Sequence, residues 1–242
     1  MSSKRLVLTL CAAALVAAAP PKENKGAKKP VGGVTTPGVQ IPFALLKSEA
    51  EIPLEAAPVG AVFTTQPLVA AGDTVQRIDA KTNKPGDPIK GLGKSCGGLQ
   101  NALGALWTVN CETKMLLKVD AKTGKTLAAI EAGAVTAPVA LAASADSVWL
   151  LADDKTTLLR IDPKDHAPVA EIRLPAACTS ILSAESSLWV TCPSVDKVLR
   201  IDPKTNLVDK RIDVPGQPVA VTSGEGSVWV LAKKEGKVAQ ID

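Results

Sequence analysis

The apolar positions of this chain fall into short runs broken by turn residues, the pattern of an antiparallel β protein. In the clearest stretch, Pro218–Ser223 predicts a strand, Gly224-Glu225-Gly226 a turn, Ser227–Ala232 a second strand and Lys237–Asp242 a third. One repeat earlier, Val198–Asp202 predicts a third strand. Asp202-Pro203-Lys204-Thr205-Asn206 then turns the chain into a fourth, Val208–Val214. Inner strands such as Val228-Trp229-Val230-Leu231 are apolar at nearly every position, as expected where both faces of a sheet are covered.

This unit repeats. Trp107, Trp149, Trp189 and Trp229 are spaced 42, 40 and 40 residues apart, inside the strings ALWTV, SVWLL, SLWVT and SVWVL. Asp79, Asp120, Asp162, Asp202 and Asp242 are spaced 41, 42, 40 and 40, the first four inside RIDAKT, KVDAKT, RIDPKD and RIDPKT. Two markers in one register specify a repeat architecture. Four antiparallel strands per unit predict an all-β fold, a β-propeller of four-stranded blades with five units visible. A parallel β-helix would lack this hairpin punctuation.

The first unit is degenerate: Arg77-Ile78-Asp79 is kept, but Leu68 stands near the tryptophan's place. Ala50-Glu51-Ile52-Pro53-Leu54 resembles the fourth strands Ala170–Leu174 and Lys210–Val214. Glu49–Leu54 is therefore expected to pair with Gly236–Asp242, completing the last blade and closing a ring of five, which would remove an open edge. The alternative is part of a longer propeller.

The N-terminus reads as an export signal over residues 1–18: a basic start with Lys4 and Arg5, the apolar run Leu6–Leu15, and Val16-Ala17-Ala18 as small residues for cleavage. The run is shorter than the ~20 residues of a spanning helix, so no transmembrane segment is expected in the mature chain. Cys11 is a poor match to a lipoprotein box. Residues 19–38, rich in Pro, Lys and Gly, read as a flexible tether, and residues 39–242 as the propeller domain. The expected location is periplasmic or secreted. The formal charge is +4, or +2 without Lys4 and Arg5, with both signs interspersed, and aromatics make up 2%. Neither feature suits nucleic acid. The expected partner is a protein, peptide or small ligand, and the expected state a monomer.

Gly226-Ser227-Val228-Trp229-Val230 and Arg200-Ile201-Asp202-Pro203-Lys204-Thr205 resemble the YVTN-type and virginiamycin B lyase-like propeller repeats, and the resemblance covers residues 47–242. It implies the propeller fold, commonly with seven blades. For the streptogramin lyases of this group it also implies a metal held by histidine and glutamate. This chain has one histidine, His166, where sister repeats carry Asn or Gly in an exposed turn.

The cysteines carry the sharpest local chemistry. Cys96 and Cys111, and Cys178 and Cys192, each span the first two strands of a blade. The positions of Cys178 and Cys192 centre their hairpin on Glu185, one repeat before Glu225. Cys96 and Cys111 centre between Leu103 and Gly104, half a step away, so a bulge is expected. Two disulfides are predicted, suited to an oxidising compartment. Free thiols and a metal site are the rival readings. Against the latter, the pairs lie two blades apart and no CxxC occurs.

The repeated aspartates read as turn formers and the tryptophans as packing residues between blades. Gly91-Leu92-Gly93-Lys94-Ser95 reads as a loop between blades rather than a phosphate loop. No catalytic residue, cofactor or metal ligand is assigned. The loops between blades and after the tryptophan strands vary (91–101, 110–114, 133–138, 153–156, 175–178, 192–196 and 215–218). Variation on a rigid scaffold points to a binding face, with Asn110, Glu112 and Asp196 as candidate contacts. The expected function is a non-enzymatic binding or scaffold propeller. The alternatives are a lyase-like enzyme, an accessory subunit of a periplasmic redox enzyme, and a cell-surface structural protein.

Overall fold

The computed structural model describes residues 47–242 apart from 134 and 136. The expected signal, the tether and Cys11 lie outside the described residues. The chain divides into two units, Met1–Pro53 and Leu54–Asp242. In the first, the described residues 47–53 contain no strand.

The second unit is built of five antiparallel sheets in chain order. Blade one holds β1 (Pro58–Phe63), β2 (Pro67–Ala71), β3 (Thr74–Asp79) and the short β4 (Lys84–Pro85). Blade two holds β5 (Gln100–Ala102), β6 (Ala105–Asn110), β7 (Met115–Val119) and β8 (Thr126–Glu131). Blade three holds β9 (Leu141–Ala143), β10 (Val148–Ala152), β11 (Thr157–Asp162) and β12 (Ala167–Arg173). Blade four holds β13 (Ser180–Ala184), β14 (Ser187–Cys192), β15 (Lys197–Asp202) and β16 (Leu207–Asp213). Blade five holds β17 (Pro218–Gly224), β18 (Ser227–Ala232) and β19 (Lys237–Ile241). Each sheet runs in simple sequential order. The fold is a five-bladed β-propeller, four blades having four strands and the fifth three among the described residues.

The expected closure by Glu49–Leu54 is not formed. Those residues are not a strand, and among the described residues β19 pairs with β18 alone. The resemblance of Ala50–Leu54 to a fourth strand is local, whereas a strand needs a partner edge to satisfy its backbone.

Packing between blades follows one rule. In blades one to four the tryptophan side of the sheet lies against the opposite side of the next, whereas in blade five Trp229 is only partly buried and Leu231 is exposed, so that face is not covered among the described residues. Trp107, Val109 and Leu116 pack with Val148, Leu150 and Ala152. Trp149, Leu151 and Leu158 meet Leu188, Val190 and Cys192. Leu68, Ala70 and Val75 meet Leu106, Leu117 and Val119, so Leu68 does take the tryptophan's place in blade one. Trp189 and Val198 meet Val228, Val230 and Ala232. Covering both faces explains the near-continuous apolar inner strands. Each indole N–H also donates to the hairpin turn five residues earlier, as from Trp107 to Ala102 O at 3.0 Å and from Trp189 to Ala184 O at 3.1 Å.

Candidate functional site: a disulfide-bearing loop face

The two ends of the blades differ in chemistry. At one end lie the aspartate turns. Asp79 Oδ1 accepts the N–H groups of Lys81 (2.8 Å) and Thr82 (3.1 Å), and Asp120 accepts those of Lys122 (2.9 Å) and Thr123 (2.7 Å). Asp162 accepts from Lys164 (2.6 Å) and Asp165 (3.1 Å), and Asp202 from Lys204 (2.8 Å). These backbone N–H groups hold the carboxyls below their ordinary range. Asp242 instead accepts the hydroxyl of Ser227 at 3.1 Å.

Each of these turns closes on a left-handed residue: Asn83, Gly124, His166 and Asn206, with φ of 54°, 75°, 55° and 60°. Asn, Gly and His tolerate that conformation better than most residues, which accounts for His166 at this position. Its ring Nε2 lies 3.4 Å from Lys118 Nζ.

A second device at this end was missed by sequence reasoning, although its signal was present: a basic residue two positions before four of the five aspartates, Asp242 being preceded there by Gln240. Arg77 donates to Ala121 O (3.0 Å) and Lys122 O (2.9 Å) in the next blade's turn. Lys118 donates to Pro163 O (2.9 Å), and Arg160 to Pro203 O (2.8 Å) and Asn206 Oδ1 (3.0 Å). Lys118, Arg160 and Arg200 also lie 5.6, 5.3 and 5.8 Å from the ring centres of Trp107, Trp149 and Trp189. Arg77, Lys118 and Arg160 thus staple blade to blade, whereas Arg200 bonds to Ser187 and Asp209 of its own blade. In blade three the staple is held from behind by Asp146, 3.1 Å from Arg160. Partial burial opposes ionisation of Asp146. The hydroxyls of Ser147 and Ser144 and the Arg160 charge outweigh it and lower its pKa.

The other end carries the variable loops and both disulfides, Cys96–Cys111 and Cys178–Cys192, with Cα separations of 5.3 and 4.0 Å. Their register refines the expectation. The blade-four turn is Glu185-Ser186, both with positive φ, so the hairpin centres between two residues rather than on Glu185. In blade two, Gln100 pairs with Trp107 and Ser95 with Asn110, so the first strand carries extra residues, including Gly97 and Gly98. Ala102 pairs with Ala105, so this hairpin too turns on two residues, Leu103-Gly104; the half-step behind the expected bulge disappears, and the two extra residues are a separate irregularity.

The three candidate contacts fare differently. Asn110 is buried; its Nδ2 donates to Leu92 O at 3.0 Å, and its Oδ1 accepts from Glu112 N (2.9 Å) and Thr113 N (3.1 Å). It ties the 91–95 loop to the turn after β6. The fit is close enough that a Cβ on Gly93 would lie 2.1 Å from Asn110 Nδ2. Asp196 has φ 52° and accepts Gln217 N at 2.8 Å, joining the turn after β14 to the loop before β17. Glu112 is exposed, as are Lys94, Thr113, Lys114, Asp153 and Ser194 on the same end. The structure therefore buries Asn110 as a loop-holding residue, while Asp196, which also holds a neighbouring loop, stays exposed together with Glu112 and its neighbours. Among the described residues no three His, Cys, Asp or Glu side chains converge as a metal site would need. No helix of the described residues is long and apolar enough to cross a membrane.

Fold and site together define a β-propeller with one covalently braced loop face. Its sequence matches no protein-family model and no curated protein. Among solved structures, a catalytically inactive virginiamycin B lyase from Staphylococcus aureus with quinupristin is similar at TM-score 0.65 and 15% identity, over 79% of this chain and 69% of that one. BamB from Moraxella catarrhalis is similar at TM-score 0.61 and 16% identity over 76% of this chain, which spans 56% of the BamB chain. Hydrazine synthase of Kuenenia stuttgartiensis is similar at TM-score 0.60 and 13% identity, over 84% of this chain and 69% of that one. At these identities the likeness establishes the propeller fold alone.

Proposed function

We propose that this protein is an exported, non-enzymatic binding propeller that holds a protein or peptide partner on its disulfide-bearing face. The observation that carries the reading is the contrast between the two ends of the blades. Repeated side chains at the turn end are consumed in holding blades together. At the loop end, two disulfides, Asn110 and Asp196 brace loops whose outward residues differ from blade to blade. Bracing the roots of a binding surface lowers the entropy lost on association. The disulfides support export, as does the signal-like N-terminus. The YVTN-type repeat resemblance is compatible with this role. The lyase-like reading has a structural neighbour behind it, but the described residues offer no donor cluster for its metal.

Photo-crosslinking in the native host tests the reading. A crosslinker placed at Glu112 or Ser194 is expected to capture one recurrent partner, and the same group at Glu225, in a turn of the opposite end, to capture none. Equal capture from both ends would defeat the assignment. So would metal-dependent turnover of a streptogramin by the purified protein.

A further inference from the structure

The left-handed residue that closes an aspartate turn can meet the cation arriving from the blade before. Between blades three and four, Arg160 donates to Pro203 O at 2.8 Å and to the side chain of that residue, Asn206 Oδ1, at 3.0 Å. Between blades two and three the same two places are held by Pro163 and His166. Lys118 Nζ lies 2.9 Å from Pro163 O and 3.4 Å from His166 Nε2. Between blades one and two the closing residue is Gly124, and Arg77 reaches the main-chain carbonyls of Ala121 and Lys122. His166 thus stands where the next repeat has a side-chain acceptor. An ammonium carries donors only, so Nε2 can receive it only while it keeps its lone pair. Once both ring nitrogens carry hydrogen, two cations face each other with no acceptor between them.

Lys118 is held by fewer groups than the equivalent arginines. Arg160 is gripped by Ser147 Oγ at 2.8 Å and Asp146 at 3.1 Å, and Arg200 by Ser187 Oγ at 3.0 Å. Blade two has Ala105 in place of the serine and Gly104 in place of Asp146. Across the ladders Lys118 pairs with Trp107 on one side and Ala128 on the other. Its partners among the described residues are Pro163 O, His166 and the Trp107 ring.

The remaining charged groups belong to the two turns that flank this contact. In blade three, the Asp162 carboxylate accepts the N–H groups of Lys164 and Asp165, whose side chains are exposed. In blade two, Asp120 accepts from Lys122 and Thr123, and the side chains of Lys122 and Lys125 are exposed. Arg160, on the strand before the blade-three turn, is directed to blade four. Among the described residues no carboxylate forms an ion pair with the imidazole.

We propose that His166 makes the staple between blades two and three pH-sensitive: the neutral ring accepts the Lys118 ammonium and closes the contact, and the ring protonated from solvent opens it. Histidine is the side chain that ordinarily changes charge between about pH 5 and 8. The other staples are built from arginine with carbonyl and amide acceptors, which do not titrate there. This joint therefore loosens by itself on mild acidification. It lies at the turn end and is independent of the loop-face reading.

His166 is the single histidine of the chain, so its ring gives one set of nitrogen signals in NMR spectra of the full-length protein. At pH 8 the hydrogen is expected on Nδ1 with Nε2 bare, and Lys118→Met should shift the tautomer balance. Denaturant melts read the staple itself, with His166→Asn as the non-titrating control. Asparagine keeps a side-chain acceptor and the left-handed backbone, as Asn206 shows. Between pH 8 and pH 5 the unfolding constant of the native protein should rise about twofold to fivefold more than that of the variant. In a Lys118→Met background this difference should vanish. The carboxyls of Asp120 and Asp162 are held below their ordinary range by backbone N–H groups, so they stay charged throughout. Equal pH dependence of the native and His166→Asn proteins would overturn the proposal. So would a difference that survives Lys118→Met, or a tautomer balance indifferent to that change.

Discussion

The two ends of the blades are built from the same strands and hold together in opposite ways. At the turn end the bonds are many, weak and repeated: aspartates cap the turns of blades one to four, and in the first three of these a cation two residues earlier reaches the next blade. At the loop end they are few, strong and particular to single blades: two disulfides, the Asn110 amide and the Asp196 carboxylate. Repetition marks residues whose task is the same in every blade, which is the scaffold. Where the blades stop agreeing, the chain is free to present surface. Four experiments break or sharpen this contrast.

The largest effect is expected from the loop end's covalent brace. Replacing Cys178 and Cys192 together by alanine should cost about 2–4 kcal/mol, because the crosslink restricts the unfolded chain and both sulfurs are buried. Denaturant melts measure the loss. Hydrogen exchange should show it concentrated in the loops around Cys178 and Cys192, with the Asp162 and Asp202 turns retained. Uniform loss at both ends would show that the ends are not separate devices.

The next effect belongs to the turn end. Arg160→Gln removes a largely buried guanidinium that bonds to Pro203 O, Asn206 Oδ1 and Asp146. A loss of about 1–3 kcal/mol follows from charge-assisted bonds of this kind. The same change at Arg200 should matter less, since its recorded partners, Ser187 and Asp209, lie within its own blade. Equal losses at the two sites would remove the case for stapling between blades.

A smaller effect follows from pH. The turn carboxylates of Asp79, Asp120, Asp162 and Asp202 are held below their ordinary pKa by backbone N–H donors. A carboxylate depressed in the folded state stabilises it fully above its unfolded pKa of about 3.9. That contribution is lost as pH falls through the folded value. Thermal melts should therefore decline below about pH 4, and less steeply in the Asp162→Asn variant. A parallel decline in that variant would show that the turn carboxylates do not set acid stability.

The smallest effect on stability is expected at Glu112. Glu112→Lys alters an exposed side chain at the loop end and should shift stability by no more than about 0.5 kcal/mol while weakening partner capture. A large stability loss would return Glu112 to the scaffold and narrow the binding face.

Much of the fold was legible because a repeat states its own register. The tryptophan and aspartate spacings located the blades, and the expected strand Ser227–Ala232 is β18 without change. The cysteine spacing likewise led to both disulfides, since residues flanking a hairpin must meet at its mouth. Local order is enough for such features, because strand, turn and partner lie within one 40-residue unit. What the chain could not state alone is whatever depends on which surface arrives from another blade. Asn110 and Asp196 read from the sequence as candidate contacts on a binding face; that they also hold loops depends on the approach of Leu92 and Gln217, which only the tertiary structure supplies. The basic residues before the aspartates looked like ordinary strand charge until the next blade's carbonyls came within reach. Ala50–Leu54 reads as an outer strand by pattern, yet strand pairing is settled by the edge that meets it, and among the described residues it pairs with none.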